Sequence, residues 1–212
     1  NFVGIDSAKY VLKDDGSPVM YDTATIYFFV KHEEFEHLNL NNVNATLGFE
    51  ELFQNKEGSA GYEVPKGSGK HTVYAANLWL AGKTQNAVFM NSETFGIHYN
   101  FYNPLIDFES NSGPIMDSVH YSNKYNYKWD RFWKVSNKEI KYHINNWNNA
   151  GYQPIEVIKN WPAHGDVNKG QATNLAPFVD NNNDGFYNPL DGDYPKIKGQ
   201  QAVYRIYNDK RF

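Results

Sequence analysis

Residues 176–195 carry the side chains whose types and spacing are best suited to chemistry. Asp and Asn recur through their sequence, APFVDNNNDGFYNPLDGDYP. Calcium takes six to eight oxygen ligands, and in EF-hand loops these come from positions 1, 3, 5, 7 and 12, among others. Counting from the first Asp, oxygen donors fill those positions: Asp180, Asn182, Asp184, the main-chain carbonyl of Phe186, and Asp191. The spacing predicts a structural Ca²⁺ site in residues 180–191, here called the acidic loop.

The acidic loop departs from an EF-hand loop at two positions. Pro189 lies inside it, and Asp191 at position 12 is shorter than the usual bidentate Glu. Gly185 does occupy the position where the chain must turn sharply. A plain solvated turn is the alternative, since Asn and Asp favour turns through their own side-chain hydrogen bonds. We favour calcium because closely packed carboxylates repel one another unless a cation neutralises them.

Other candidate catalytic groups are isolated in the sequence. His164 and Asp166 can ligate a metal or exchange protons, but a single His-x-Asp beside a glycine more often forms a hydrogen-bonded corner. Several glutamates can supply a glycosidase pair, although their separation depends on the fold: Glu33, Glu34, Glu36, Glu50 and Glu51. We expect them to be solvated, and we predict that the protein is not an enzyme.

Composition narrows the class of partner. Lys and Arg total 20 against 24 Asp and Glu, and no block of five or six like charges occurs. Phosphate binding needs a concentrated basic surface, so we expect no nucleic-acid partner. The chain contains no cysteine, hence no disulfide or thiolate metal site. It also contains no apolar run of eighteen residues, so we expect it not to span a membrane.

Hydrophobic periodicity predicts a mostly-β fold with one or two short helices, either β-sandwich-like or an irregular β-rich domain carrying a calcium loop. Apolar runs and alternation predict strands over residues 24–30, 38–47, 86–90, 96–102 and 201–207, and either one strand or a strand pair over residues 71–80. Residues 107–117 indicate a loop. Ser136 and Glu139 form a capping-box pattern that predicts a helix with Ile140, Ile144 and Trp147 on its buried face, and a second short helix is predicted over residues 155–160.

Basic and aromatic residues alternate over residues 124–135, KYNYKWDRFWKV. Such a segment can form a stacking platform for sugar rings, but core packing next to the capped helix is the simpler interpretation. We expect residues 1–212 to form a single β-rich region of a larger protein, with a subdivision near residues 104–122.

Six segments together resemble a family of large secreted surface proteins of Bacteroidota that the type IX (Por) secretion system exports. The segments are LNNVNA at 40–45, YEVPKGSGKH at 62–71, LWLAG at 78–82, WDRFWKV at 129–135, WPAHGD at 161–166, and the acidic loop continued through residues 193–195. The resemblance implies a signal peptide, a long ectodomain and a C-terminal sorting domain in the whole protein. It also implies an extracellular address on the outer cell surface and an adhesin-like role.

Three tripeptides resemble the Asp-(Ser/Thr)-apolar acceptor used for O-glycosylation of exported proteins in that phylum. Their hydroxyl residues are Ser7, Thr23 and Ser118. We therefore expect a glycoprotein with glycans at these residues.

Together these features predict a non-enzymatic, calcium-stabilised module of a secreted cell-surface protein. We expect it to act in adhesion or in assembly of surface components, with other cell-surface proteins or extracellular glycans as partners. The alternative is a glycan-binding module or a carbohydrate-active enzyme. A catalytic cleft would favour the alternative, whereas exposed aromatic patches or open strand edges would favour assembly.

Overall fold

The computed structural model describes residues 2–49, 52–55, 57–76, 79–83, 85, 88–92, 111–121 and 126–208. The chain forms two compact units, Asn1–Glu33 and Glu34–Phe212. The predicted strand at 96–102 lies outside the described residues. Part of the range 104–122, residues 104–110 and 122, also lies outside them, and the subdivision near it stays a prediction.

The first unit is a long antiparallel hairpin. Strand β1 (Gly4–Lys13) pairs with β2 (Tyr21–Val30) in unbroken register from Gly4 opposite Val30 to Lys13 opposite Tyr21. Strand β2 contains the predicted strand over 24–30, whereas β1 was not predicted. The Asp14 carboxylate closes the turn by accepting the Met20 amide at 2.7 Å.

Residues paired across the two strands project to the same side of the hairpin, so the pairing shows which residues share a face. The two faces differ in composition. One face, here called the apolar face, carries Ala8, Tyr10, Leu12, Ala24, Ile26, Phe28 and Val30, with Asp6 and Asp22 near its ends. The other, here called the mixed face, carries Ile5, Ser7, Lys9, Val11, Lys13, Tyr21, Thr23, Thr25, Tyr27 and Phe29. Large side chains on the apolar face are exposed, Ile26 by 48% and Phe28 by 50%.

The second unit contains several small antiparallel sheets. Strands β3 (Phe35–Leu38), β4 (Asn44–Gly48), β5 (Tyr62–Glu63) and β6 (His71–Val73) form a four-stranded sheet in that order. The prediction of one strand over residues 38–47 was wrong, because the chain turns between β3 and β4. The side chain of Asn41 accepts the Val43 amide in that turn.

The other strands of this unit form two-stranded pairs. Strands β7 (Trp79–Lys83) and β8 (Val88–Ser92) pair with each other, β9 (Asn111–Ser112) pairs with β14 (Tyr207–Asn208), β10 (Trp133–Ser136) with β13 (Gln201–Tyr204), and β11 (Phe178–Val179) with β12 (Tyr194–Pro195). The predicted final strand over 201–207 is therefore two strands, β13 and β14. The predicted loop over 107–117 contains the short strand β9.

Helix α1 (Asn137–Asn146) begins with the predicted capping box. Ser136 Oγ accepts the Glu139 amide at 3.3 Å, and Glu139 Oε2 accepts the Ser136 amide at 2.7 Å. The predicted buried face was partly wrong, because Ile140 and His143 are buried while Ile144 is 39% exposed. The second predicted helix is α2 (Glu156–Lys159).

The core of the second unit is rich in tryptophan. Its buried residues are Trp129, Trp133, Val135, Ile140, Ile158, Trp161, Ala163 and Ala176. The aromatic segment before α1 therefore packs inward at Trp129 and Trp133, and their rings meet edge to face at 6.2 Å. The predicted mostly-β fold with short helices is confirmed, and it takes the irregular form. No helix in the described part of the chain is long and apolar enough to cross a membrane.

Candidate metal centre

The acidic loop connects the two strands of a small hairpin. Strand β11 ends directly before it and β12 begins two residues beyond Gly192, with Val179 paired to Tyr194 and Phe178 to Pro195. Phe178 and Tyr194 also pack against the tryptophan-rich core. The core thus fixes both ends of the loop close together, which a metal loop requires.

Asp180 shapes the first half of the acidic loop. Its Oδ1 accepts the Asn183 amide at 2.7 Å and its Oδ2 accepts the Gly185 amide at 2.7 Å. Asn183 and Gly185 adopt φ values of 61° and 83°, in the left-handed region. Because glycine adopts that conformation without steric cost, Gly185 suits the sharp turn expected at loop position 6.

The other proposed ligands are exposed and bonded within the loop. Asp184 Oδ1 accepts the Phe186 amide at 2.8 Å, and its Oδ2 accepts the side-chain amide of Asn182 at 2.9 Å. Asp191 lies in a short 3₁₀ turn (Pro189–Asp191), where its Oδ2 accepts the Asn188 side chain at 2.6 Å. Asn182, Asp184 and Phe186, three of the five proposed donor residues, thus follow one another around the turn whose amides Asp180 accepts.

The donor chemistry fits Ca²⁺. The proposed set contains only hard oxygen atoms: three carboxylates, one side-chain amide and one main-chain carbonyl, a set that water can complete to six or more ligands. Within the described ranges, no three His, Asp or Glu side chains are arranged to hold a metal. The proposed site thus depends on the amide and carbonyl oxygens as well, and the Ca²⁺ ligand set stays a prediction.

Asp193, which the sequence analysis did not assign, is the best-buried carboxylate near the acidic loop. Its side chain is fully buried, and its Oδ1 and Oδ2 accept the amides of Asn181 and Asn188, each at 2.8 Å. Burial raises the pKa of the Tyr187 hydroxyl, and the nearby charge of Asp193 adds to that increase. The sequence signal was present, since Asp193 is the last Asp of the motif, but it lies beyond the twelve-residue register.

His143 connects helix α1 to the main chain of Asp193. Its buried ring lies with Nε2 at 3.0 Å from the Asp193 carbonyl and Nδ1 at 3.0 Å from the Tyr152 hydroxyl. Burial lowers the pKa of His143, against the opposing effect of the nearby Asp193. A neutral ring that donates from Nε2 and accepts at Nδ1 satisfies both contacts.

His164 and Asp166 lie in a hydrogen-bonded corner. His164 Nδ1 lies 3.0 Å from the Thr173 carbonyl, and Nε2 accepts the Tyr187 amide at 3.0 Å. Asp166 accepts the Asn168 amide and pairs with Lys169. Both ring nitrogens of His164 therefore have structural partners, although the absence of catalysis there stays a prediction.

Three of the five glutamates proposed as an alternative glycosidase pair lie in the described part of the chain. Glu33 and Glu34 are exposed, and Glu36 Oε1 accepts Lys134 Nζ at 2.9 Å. Glu50 and Glu51 lie outside the described residues.

The three predicted glycan acceptors are exposed, and in each tripeptide the preceding Asp bonds a main-chain amide. Asp6 accepts the Ser7 amide and Asp22 accepts the Thr23 amide, each at 2.7 Å. Asp117, which precedes Ser118, accepts the amides of Val119 and His120. Ser7 and Thr23 both lie on the mixed face of the hairpin.

We expect protein isolated from its native host to carry glycans on Ser7, Thr23 and Ser118. Intact-mass analysis should show added hexose, and replacing all three by Ala should remove it. A wild-type mass equal to that of the bare polypeptide would contradict this prediction.

Comparison with protein-family models, with curated proteins and with solved structures gave no match to this chain.

Proposed function

We propose that this chain is a non-enzymatic module of a secreted cell-surface protein, stabilised by structural Ca²⁺, that assembles with other surface proteins. The observation that carries the proposal is the exposed hairpin of β1 and β2. The sequence resemblance to exported surface proteins of Bacteroidota supports the extracellular address.

The hairpin exposes large apolar side chains on both of its faces. A two-stranded hairpin alone is at best marginally stable in water. On the apolar face, Leu12 is 54% exposed, and on the mixed face Phe29 is 65% exposed. Neither outer edge pairs with a further strand among the described residues. Open strand edges and an apolar sheet face are the features by which one chain adds strands to another.

The predicted glycans would assign different roles to the two faces. Ser7 and Thr23 project from the mixed face, so bulky, hydrated glycans there would block close packing of another protein. The apolar face would stay free of them. We therefore propose that a protein partner packs on the apolar face and adds a strand at an edge of the hairpin.

Ca²⁺ in the acidic loop would serve stability rather than catalysis. The loop lies at the end of the β11–β12 hairpin, whose residues Phe178 and Tyr194 pack against the core. The side chains around His164 are engaged in hydrogen bonds that hold a corner. This arrangement supports a binding module over a carbohydrate-active enzyme.

Charged substitutions on the apolar face test the assembly proposal. We expect Ile26→Lys combined with Phe28→Lys to abolish capture of the native partners in a pull-down from host surface extract, read by mass spectrometry. The matched control, Val167→Lys, changes an exposed apolar residue of the second unit and should leave capture unchanged.

Two results would contradict assembly through the hairpin. One is capture of the same proteins by the hairpin variant and the wild type. The other is specific retention of glycans, with no protein partner, by the wild type on a glycan array, which would favour the glycan-binding alternative.

A further inference from the structure

The register of the β1–β2 hairpin shows which main-chain groups face outward along its two edges. Opposite residues in an antiparallel pair alternate between pairs that bond to each other and pairs whose amides and carbonyls point away. Asp14 donates its amide to the Met20 carbonyl at 3.1 Å, and this pair continues the register of the strands beyond Lys13 and Tyr21. The odd-numbered residues of both strands therefore direct their amides and carbonyls outward.

Neighbouring Asp side chains already engage one outward amide on each edge. Asp6 accepts the Ser7 amide on the β1 edge, and Asp22 accepts the Thr23 amide on the β2 edge, each at 2.7 Å. Both bonds agree with the outward direction of the odd-numbered amides. An amide that a side chain occupies is not open to a further strand, so pairing along β2 is limited to residues beyond Thr23.

The rest of the β2 edge is open and uncharged. Its outward amides belong to Thr25, Tyr27 and Phe29, and no further strand in the described part of the chain pairs with them. Residues 23–30 contain no charge, proline or glycine and are rich in β-branched and aromatic side chains, a composition suited to strand pairing. The β1 edge differs because it carries two lysines, at positions 9 and 13, and lysine on an edge strand opposes pairing.

The open part of the β2 edge is complementary to itself. A two-fold axis through Tyr27 and normal to the sheet places Tyr27 opposite the Tyr27 of a second copy, and Thr25 opposite its Phe29. Each bonded pair of an antiparallel ladder exchanges two hydrogen bonds, so all three outward amides find carbonyl partners. Residues 24–30 carry no charge, so this register opposes no like charges.

We propose that two copies of this chain form a dimer in which their β2 strands pair antiparallel about Tyr27. The result is a four-stranded sheet in the order β1, β2, β2, β1. The interface uses the same surface on both copies, and the lysines on the outer β1 edges oppose further growth. This inference goes beyond the proposed function, because it assigns the β2 edge to a second copy and leaves the apolar face and the β1 edge for other proteins.

Proline at an outward position of β2 tests the dimer. Thr25→Pro removes an outward amide but no bond between β1 and β2, since edge strands tolerate proline where the amide faces away. We expect the dissociation constant of the dimer to rise about 10- to 100-fold, because each copy loses one hydrogen bond. The matched control, Val11→Pro, removes an outward amide from the β1 edge and should leave the dimer unchanged. Analytical ultracentrifugation of chain made in a host that adds no glycans measures both.

Cysteine cross-linking tests the register independently of the proline variants. The chain contains no cysteine, so an introduced one can pair only with its copy. In the proposed register the two Tyr27→Cys positions are opposite, with Cα atoms about 5.5 Å apart, within disulfide range. The matched control, Thr23→Cys, lies on the same edge and face but about 26 Å along the strand from its copy. We expect mild oxidation to link Tyr27→Cys into dimers and to leave Thr23→Cys unlinked.

Three results would overturn the dimer: a wild type that stays monomeric at high concentration, a dimer that Thr25→Pro weakens no more than Val11→Pro, or a Tyr27→Cys variant that cross-links no better than Thr23→Cys. If Thr25→Pro does not fold, the two cysteine variants decide. Capture of other proteins through the apolar face is measured separately, so failure of the dimer and failure of the proposed function are distinguishable.

Discussion

Replacing Trp133 by Ala is expected to lower the free energy of unfolding of the second unit by about 3–5 kcal/mol, the range for removing a large buried aromatic side chain. Trp133 is 2% exposed and packs edge to face on Trp129. Its indole N–H also donates to the Asn160 carbonyl at 2.8 Å, at the end of helix α2. The substitution therefore leaves both a cavity and an unpaired carbonyl where β10 and α2 meet.

Chemical denaturation followed by far-ultraviolet circular dichroism checks this expectation. Tyr142→Ala is the matched control, because it removes an aromatic ring that is 60% exposed. We expect the control to lose less than about 1 kcal/mol. Equal losses for the two variants would contradict the assignment of Trp133 to the core.

His143 is expected to make the protein less stable as the pH falls from about 7 to 5. Burial lowers the pKa of His143 in the folded state, whereas in the unfolded chain it is near the ordinary value of about 6.5. As the pH falls through that value, the unfolded chain takes up a proton before the folded one does. The free energy of unfolding then decreases, by at most about 1.4 kcal/mol per pH unit, until the pH passes the folded-state pKa.

His143→Gln removes this titration while keeping a polar side chain at the position. We expect the variant to be less stable than the wild type at pH 7 by about 1–3 kcal/mol, through the disturbed contacts with Tyr152 and Asp193. The free energy of unfolding of the variant should change less between pH 7 and 5 than that of the wild type. Denaturation curves at several pH values measure both effects, and a wild-type slope that the substitution leaves unchanged would contradict the role of His143.

Features encoded by neighbouring residues were predictable from the sequence. The capping box of Ser136 and Glu139 depends on two residues three positions apart, and the structure contains both of its hydrogen bonds. The apolar run within β2 was equally local. The spacing of oxygen donors in the acidic loop is equally local, but the Ca²⁺ ligand set drawn from it stays a prediction.

Features that depend on distant contacts were not predictable. Strands β11 and β12 have two residues each, too few for a periodic pattern, and their pairing across the acidic loop defines them. The sequence analysis placed Ile144 on the buried face of α1 and did not place His143 there, because histidine is a polar residue. Contacts with Tyr152 and with the Asp193 carbonyl, fifty positions away, allow that ring to be buried.

The most direct test of the calcium-stabilised module is the melting temperature of the wild type and of Asp184→Ala in Ca²⁺ and in chelator. An ion that binds only the folded state stabilises it by about 2.7 kcal/mol at a hundredfold excess over the dissociation constant. Extracellular sites often bind at roughly 10⁻⁴–10⁻³ M, so millimolar Ca²⁺ should give only part of that gain. As control, Asp15→Ala removes a negative charge from the exposed turn of the β1–β2 hairpin and should respond to Ca²⁺ like the wild type. We predict that chelator lowers the wild-type melting temperature modestly and leaves Asp184→Ala unaffected; a wild type whose melting temperature and protease resistance do not respond to chelator would contradict the calcium site.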